Sequence, residues 1–177
     1  MTDAGRTAIL RAARRAFALQ PYAAVTLRGI ASDAGVSASL IVKHFGGKES
    51  LFDRVADFSD AAELLLKAPN SELGRHVVLT LVNWRREHGS DLLLRVVFAI
   101  GPGDERKLLR ERFHDQVVRS FAARLTGDDT AVRAELVIAH ILGLGAAMTV
   151  DKTGPVATAD PPLIADLYAP GIQSLIH

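Results

Sequence analysis

Apolar residues recur every three or four positions along most of this chain, the spacing that buries one side of an α-helix. In residues 5–19, Ile9, Ala13, Ala16 and Phe17 share a stripe, while Arg6, Arg11, Arg14 and Arg15 lie elsewhere on the surface. Gln20-Pro21-Tyr22 closes that helix, because proline cannot continue it. Leu27, Ile30, Ala31 and Ala34 line a second helix, with Thr26 as N-cap and Gly35 as stop. Ser37 caps a third, whose buried side is Leu40, Ile41 and Phe45. From Glu49 to about Lys67 the spacing of Leu51, Phe52, Val55, Phe58, Ala62 and Leu65 predicts one long helix, a strut ended by Ala68-Pro69-Asn70-Ser71.

Helical spacing continues to the end of the chain. Ser71-Glu72 open a helix with Leu73, Val77, Leu81 and Trp84, closing at Arg85-Arg86-Glu87-His88-Gly89. A short apolar helix is expected over Asp91 to Ile100, stopped by Gly101-Pro102-Gly103. Asp104 to Leu125 forms a long one with Leu108, Leu109, Phe113, Val117, Phe121 and Leu125 on one face. Another runs from Asp128-Asp129-Thr130 to about Thr149, and the last from Asp160-Pro161 to Ile176, with a kink expected at Pro170. Thr153 to Ala159 reads as a surface loop.

Two short helices around an Ala34-Gly35-Val36-Ser37 turn make the skeleton of a helix-turn-helix, whose second helix enters the DNA major groove. Ser37, Ala38, Ser39 and Lys43 face outward if Leu40, Ile41 and Phe45 are core, although Leu40 has the alternative of meeting thymine methyls. Thr26 and Arg28, at the start of the preceding helix, are placed for phosphate. So is Lys48, at a helix N-terminus where free N–H groups favour an anion. His44 is either a phosphate donor or a surface histidine. Among the arginines of the first helix, Arg6 is the leading candidate for phosphate; the alternative for all of them is a solvated face. Gly29 has no explanation at this level, because glycine weakens a helix interior by about 1 kcal/mol.

Behind the turn stands His44-Phe45-Gly46-Gly47-Lys48-Glu49-Ser50-Leu51-Phe52. Together with Ala34-Gly35-Val36-Ser37 it resembles the TetR (tetracycline-repressor type) family of one-component regulators, over roughly Ile9 to Phe52. One departure is Val42, where the family usually carries an aromatic residue that touches phosphate; that contact is either absent here or taken over by Lys43 or His44. The resemblance implies an all-α fold: an N-terminal three-helix bundle with the helix-turn-helix, residues 1–50, and a C-terminal helical effector-binding and dimerisation domain, residues 51–177. About nine helices are expected in all. It also implies a ligand-released repressor that binds a palindromic double-stranded DNA operator as a homodimer.

Charge distribution is consistent with a nucleic-acid partner. Residues 1–50 carry seven Lys/Arg against three acids, and residues 51–177 carry fourteen against seventeen. The 177 residues, 49% hydrophobic and 23% charged, suffice for one or two domains with a real core. Absence of cysteine excludes disulfides and thiolate chemistry and suits a reducing compartment, so a soluble cytoplasmic protein is expected. The apolar run Leu136 to Val150 is too short and glycine-rich for a secure membrane span.

Chemistry in the C-terminal part is sparse. No Gly-x-Ser-x-Gly, His-Glu-x-x-His or phosphate-binding loop occurs, and His76, His88, His114 and His140 lack metal-ligand spacing. No enzyme activity, metal or cofactor is therefore expected. Trp84, Phe98, Phe113, Phe121 and His140 would line a mostly apolar effector cavity, or simply fill the core. The small-residue stretch Ala139 to Ala147, with the apolar final helix, would form half of a four-helix dimer interface. Leu136, Ile141, Leu144, Ala147, Leu163, Leu167 and Ile172 are its candidates; the alternative is an intramolecular core. The rival to a regulator is a helical oligomerisation or small-molecule carrier protein without specific DNA binding.

Overall fold

The structure, a computed structural model, describes residues 2–88 and 104–177. The helix expected over residues 91–100 lies outside the described residues. Among the described residues every regular element is helical, as the periodicity predicts.

The first compact unit holds residues 2–57, with residues 104–109. Its α1 (Asp3–Leu19) starts at Thr2, whose hydroxyl accepts the Gly5 N–H at 3.3 Å. A 3₁₀ turn at Tyr22–Ala24 leads to α2 (Leu27–Ala34), α3 (Ala38–Phe45) and α4 (Lys48–Val55). Ile9, Ala13, Val25, Ile30, Ile41 and Leu51 form the core between them, each no more than 2% exposed. Phe17 stacks on Tyr22 at 5.7 Å, and Phe52 meets both rings edge-on at 5.1 and 5.2 Å. This cluster pins the end of α1 and the chain's return to α4. Arg15 closes the α1–α2 edge with a fork on Asp33, at 3.1 Å to Oδ2 from Nε and 2.5 Å to Oδ1 from Nη2. Hydrogen bonding and the Asp33 charge hold the Arg15 guanidinium even more firmly protonated than usual.

The unit extends past residue 50 because Leu51, Phe52 and Val55 of α4 are buried. The single strut expected from Glu49 to Lys67 is not formed: α4 stops at Val55 and α5 (Ser59–Leu65) begins afresh. Phe58 accounts for the break. Its N–H donates to Gln116 Oε1 at 2.7 Å instead of to the helix, and its fully buried ring meets Phe113 edge-on at 5.4 Å. Helical spacing persists on both sides of the break, so the apolar pattern did not reveal it.

The second unit holds residues 58–88 and 110–177. After α5 come a 3₁₀ turn at Asn70–Glu72, α6 (Leu73–His88), α7 (Asp104–Phe113), a π-helical turn at His114–Val118, and α8 (Arg119–Arg124). Then follow α9 (Thr130–Val150), the short α10 (Pro155–Thr158) inside the stretch expected to be a loop, and α11 (Pro161–Gln173), which runs through Pro170. The π turn has a visible cause. Phe113, Val117, Phe121 and Leu125 are all buried at a strict spacing of four, which overshoots each α-helical turn by about 40°. A wider turn absorbs that drift and keeps them on one side.

Helices α6 and α11 approach closely at Gly74. A β-carbon there would lie 2.9 Å from the Gln173 nitrogen and 3.0 Å from the Ala169 carbonyl oxygen. A polar clamp secures the junction. Gln173 Oε1 accepts the Gly74 N–H at 2.8 Å while its amide nitrogen donates to the Asn70 carbonyl at 2.7 Å. Arg124 donates to the Asn70 side chain and to the carbonyls of Leu66 and Ala68, which gives these two acceptors of the α5–α6 connection a partner.

Helix α9 is longer than its apolar run suggested and, among the described residues, is long and apolar enough to cross a bilayer by length and composition. One face is core: Ala134, Val137, Ile138, Ile141, Leu144, Gly145 and Met148 are buried.

Candidate nucleic-acid interface

The turn between α2 and α3 is built by local hydrogen bonds. Thr26 Oγ1 accepts the Gly29 N–H at 3.1 Å and starts α2. Gly35 ends it with φ 67° and ψ 32°, a left-handed conformation that glycine adopts without steric cost. The next N–H, of Val36, returns to the Ala31 carbonyl at 2.9 Å. Ser37 Oγ then accepts the Leu40 N–H at 3.2 Å and starts α3.

Ile41, fully buried, anchors α3 to the bundle. Leu40 and Phe45 are half-buried. The outward arc consists of Ser39, Val42 and Lys43, with half-buried Ala38 at its edge and exposed His44 at its end. Two hydroxyls on this helix are already engaged: Ser37 and Ser39 share a hydrogen bond of 3.0 Å between their oxygens. Arg28 is exposed on the first turn of α2. Lys48 is half-buried, with its Nζ 4.2 Å from the centre of the Tyr22 ring; the ring face holds the ammonium beside the N-terminus of α4. Thr26 and Ser37 each accept one backbone N–H as caps, and the Thr26 hydroxyl still has its proton to donate. The nine residues named for DNA sit on α2 and α3, at their N-caps and at the start of α4. Arg15 is committed to Asp33, whereas Arg6 is exposed. Sequence reasoning treated Val42 only as a missing aromatic; the structure shows it as a 47% exposed apolar group in the middle of the arc.

Two sequence descriptions match the chain. "Bacterial regulatory proteins, tetR family" covers residues 9–55, and "Tetracyclin repressor-like, C-terminal domain" covers residues 71–176. The chain belongs to the TetR family. A solved TetR-family regulator from Streptomyces coelicolor A3 shares 27% identity and a TM-score of 0.61, with 98% of this chain and 94% of that one covered. NalD of Pseudomonas aeruginosa, the secondary repressor of the MexAB-OprM multidrug efflux pump, has the same fold at 22% identity, TM-score 0.61, with coverage of 97% and 95%. So has FadR of Bacillus subtilis, solved with stearoyl-CoA, at 17% identity, TM-score 0.64, with coverage of 97% and 100%. No curated protein matches the sequence. This TetR-family chain is thus a DNA-binding transcriptional regulator of a ligand-responsive family whose members act as dimers and are typically not enzymes.

The C-terminal candidates of this TetR-family chain divide. Phe113 and Phe121 are buried, at 4% and 0% exposure. Trp84 and His140 are half-buried, and Phe98 lies outside the described residues. His140 Nδ1 is 2.8 Å from the Leu136 carbonyl oxygen, and the Tyr168 hydroxyl donates to the His140 carbonyl at 3.0 Å. Burial pushes the Tyr168 phenol above its ordinary pKa. A surface groove of about 760 Å³ runs between α6 and α11, with Arg75, His76, Leu79, Asp166 and Gln173 on its walls. None of the four effector candidates among the described residues lines it. Among the interface candidates, Ile141, Leu144 and Ile172 are buried inside the protomer and have no surface left to offer a partner. Leu136, Leu163 and Leu167 are exposed at 45%, 50% and 77%, and Ala147 is exposed as well.

Proposed function

We propose that this regulator is a cytoplasmic homodimer that sets two copies of α3 into successive major grooves of a palindromic operator and leaves it when a small apolar or amphipathic molecule binds the C-terminal unit. The observation that carries the reading is the outward arc of α3, where Ser39, Val42 and Lys43 are exposed while Ile41 behind them is fully buried. In this reading Ala38, Ser39 and Leu40 lie nearest the bases. Thr26, Arg28, Ser37, Lys43, His44 and Lys48 hold the phosphates on either side.

A second copy is supported by a continuous uncovered stripe on α9. Val132, Leu136, Ala139, Gly143, Ala147 and Val150 are all exposed and follow one another at helical spacing. Leu163 and Leu167 add to it from α11. Small residues at its centre permit close helix approach. Two protomers joined there need only place their α3 helices about 34–36 Å apart to read a palindrome. An apolar or amphipathic effector is also suggested by FadR, a protein of like fold solved with stearoyl-CoA.

A gel-shift titration with DNA flanking the coding region, at a stated salt concentration, tests the reading. Specific binding is expected, and Lys43→Ala should weaken it uniformly across sequences while flattening the salt dependence by about one counterion per contact. Equal affinity for every duplex at low salt would defeat the reading.

A further inference from the structure

The recognition arc of α3 is poor in groups that read bases by hydrogen bonding. Ser37 accepts the Leu40 N–H, and its hydroxyl is paired with that of Ser39 at 3.0 Å. Lys43 is a flexible point charge. What stands out at fixed geometry is apolar: Val42, 47% exposed, and Ala38 one turn before it on the same side. Val42 is also stiff, since branching at its β-carbon leaves one strongly preferred rotamer in a helix. Its two methyl groups are therefore positioned before DNA arrives, and docking costs little side-chain entropy. In the major groove the apolar feature available to such a surface is the C5-methyl group of thymine.

We infer that Val42 is a specificity-determining residue, and that each operator half-site carries a thymine whose methyl group packs against it. The inference rests on α3 being the groove-entering helix. It assigns to methyl contact a share of the readout that a polar recognition helix would assign to hydrogen bonds. A thymine methyl covered by Val42 loses its contact with water, so removing it should weaken binding about fourfold per half-site.

The test starts from duplexes selected by the full-length protein out of a randomised pool. In the tightest of them, each thymine is replaced in turn by deoxyuridine, which removes the methyl and leaves pairing intact. Wild-type protein should lose about fourfold at one symmetry-related thymine per half-site. Cytosine at that position should bind worse than thymine, and 5-methylcytosine should recover part of the loss. Val42→Ala, at a solvent-exposed position and checked for folding by its thermal melt, should bind thymine and deoxyuridine duplexes equally. Specific binding that no deoxyuridine affects, or a penalty that persists unchanged in Val42→Ala, would overturn the assignment and leave DNA recognition standing. A Val42→Ala loss that is equal across all sequences would place the side chain on the backbone and overturn it too. A pool with no enriched sequence would remove the DNA-recognition reading together with this one.

Discussion

Thr26 and Gly29 show how one residue's choice depends on its neighbour. A β-carbon at position 29 would lie 3.2 Å from the Thr26 oxygen that caps α2. Any larger residue there gains helix propensity of up to about 1 kcal/mol but presses on a cap of similar worth. That competition was invisible in the sequence, where Gly29 looked merely unfavourable. Asp151 is a second residue whose role is local. Its Oδ1 accepts both the hydroxyl and the N–H of Thr153 at 3.0 Å, which lowers its pKa below the ordinary carboxylate value. Because the folded pKa is the lower one, this stabilisation is complete above the ordinary range and fades as pH falls through the lowered value. Hydrogen exchange at Thr153 should therefore show protection that declines on acidification, and Asp151→Ala should abolish the protection at neutral pH. Equal protection in both proteins would mean that the carboxylate does not hold the turn.

Among elements, the α6–α11 pair is the most exacting. Gly74→Ala would drive a methyl into the Gln173 and Ala169 backbone, neither of which can rotate away. Overpacking of this kind costs typically about 1–3 kcal/mol, read as a lower midpoint in denaturant titration with an unchanged slope. An unchanged midpoint would show that the helices separate freely. The π turn between α7 and α8 was foreshadowed by the spacing of four from Phe113 to Leu125, which a straight helix cannot keep on one face. By contrast, nothing local marks the break before α5. Phe58 continues the helical stripe in sequence, yet its N–H is held by Gln116, 58 positions away.

For the whole molecule, the uncovered stripe on α9 and α11 is the feature that a lone protomer does not explain. Exposed apolar residues scattered singly are ordinary, but a contiguous run of them marks an interaction surface. Leu167→Glu, 77% exposed, should leave the fold intact and place two like charges across the proposed two-fold axis. A shift from dimer to monomer in sedimentation velocity is expected, with operator affinity falling because one α3 reads too few base pairs alone. Ile141→Val, buried in the protomer, should alter thermal stability and leave the oligomeric state unchanged. A Leu167→Glu protein that remained dimeric would move the interface elsewhere.

From the residues alone came the helical class, the helix-turn-helix with its Thr26 and Ser37 caps and Gly35 stop, and the family. All of these depend on contacts within a few positions or on one face of one helix, and such contacts are written in local order. Which apolar residues remain uncovered was not. Ile141, Leu144 and Ile172 match Leu136, Leu163 and Leu167 in hydrophobicity and helical spacing, and only the packing of the other helices decides which set is core. The same holds for Val42 against Ile41. Burial is a property of what lies opposite a side chain, and that partner usually comes from a distant part of the chain.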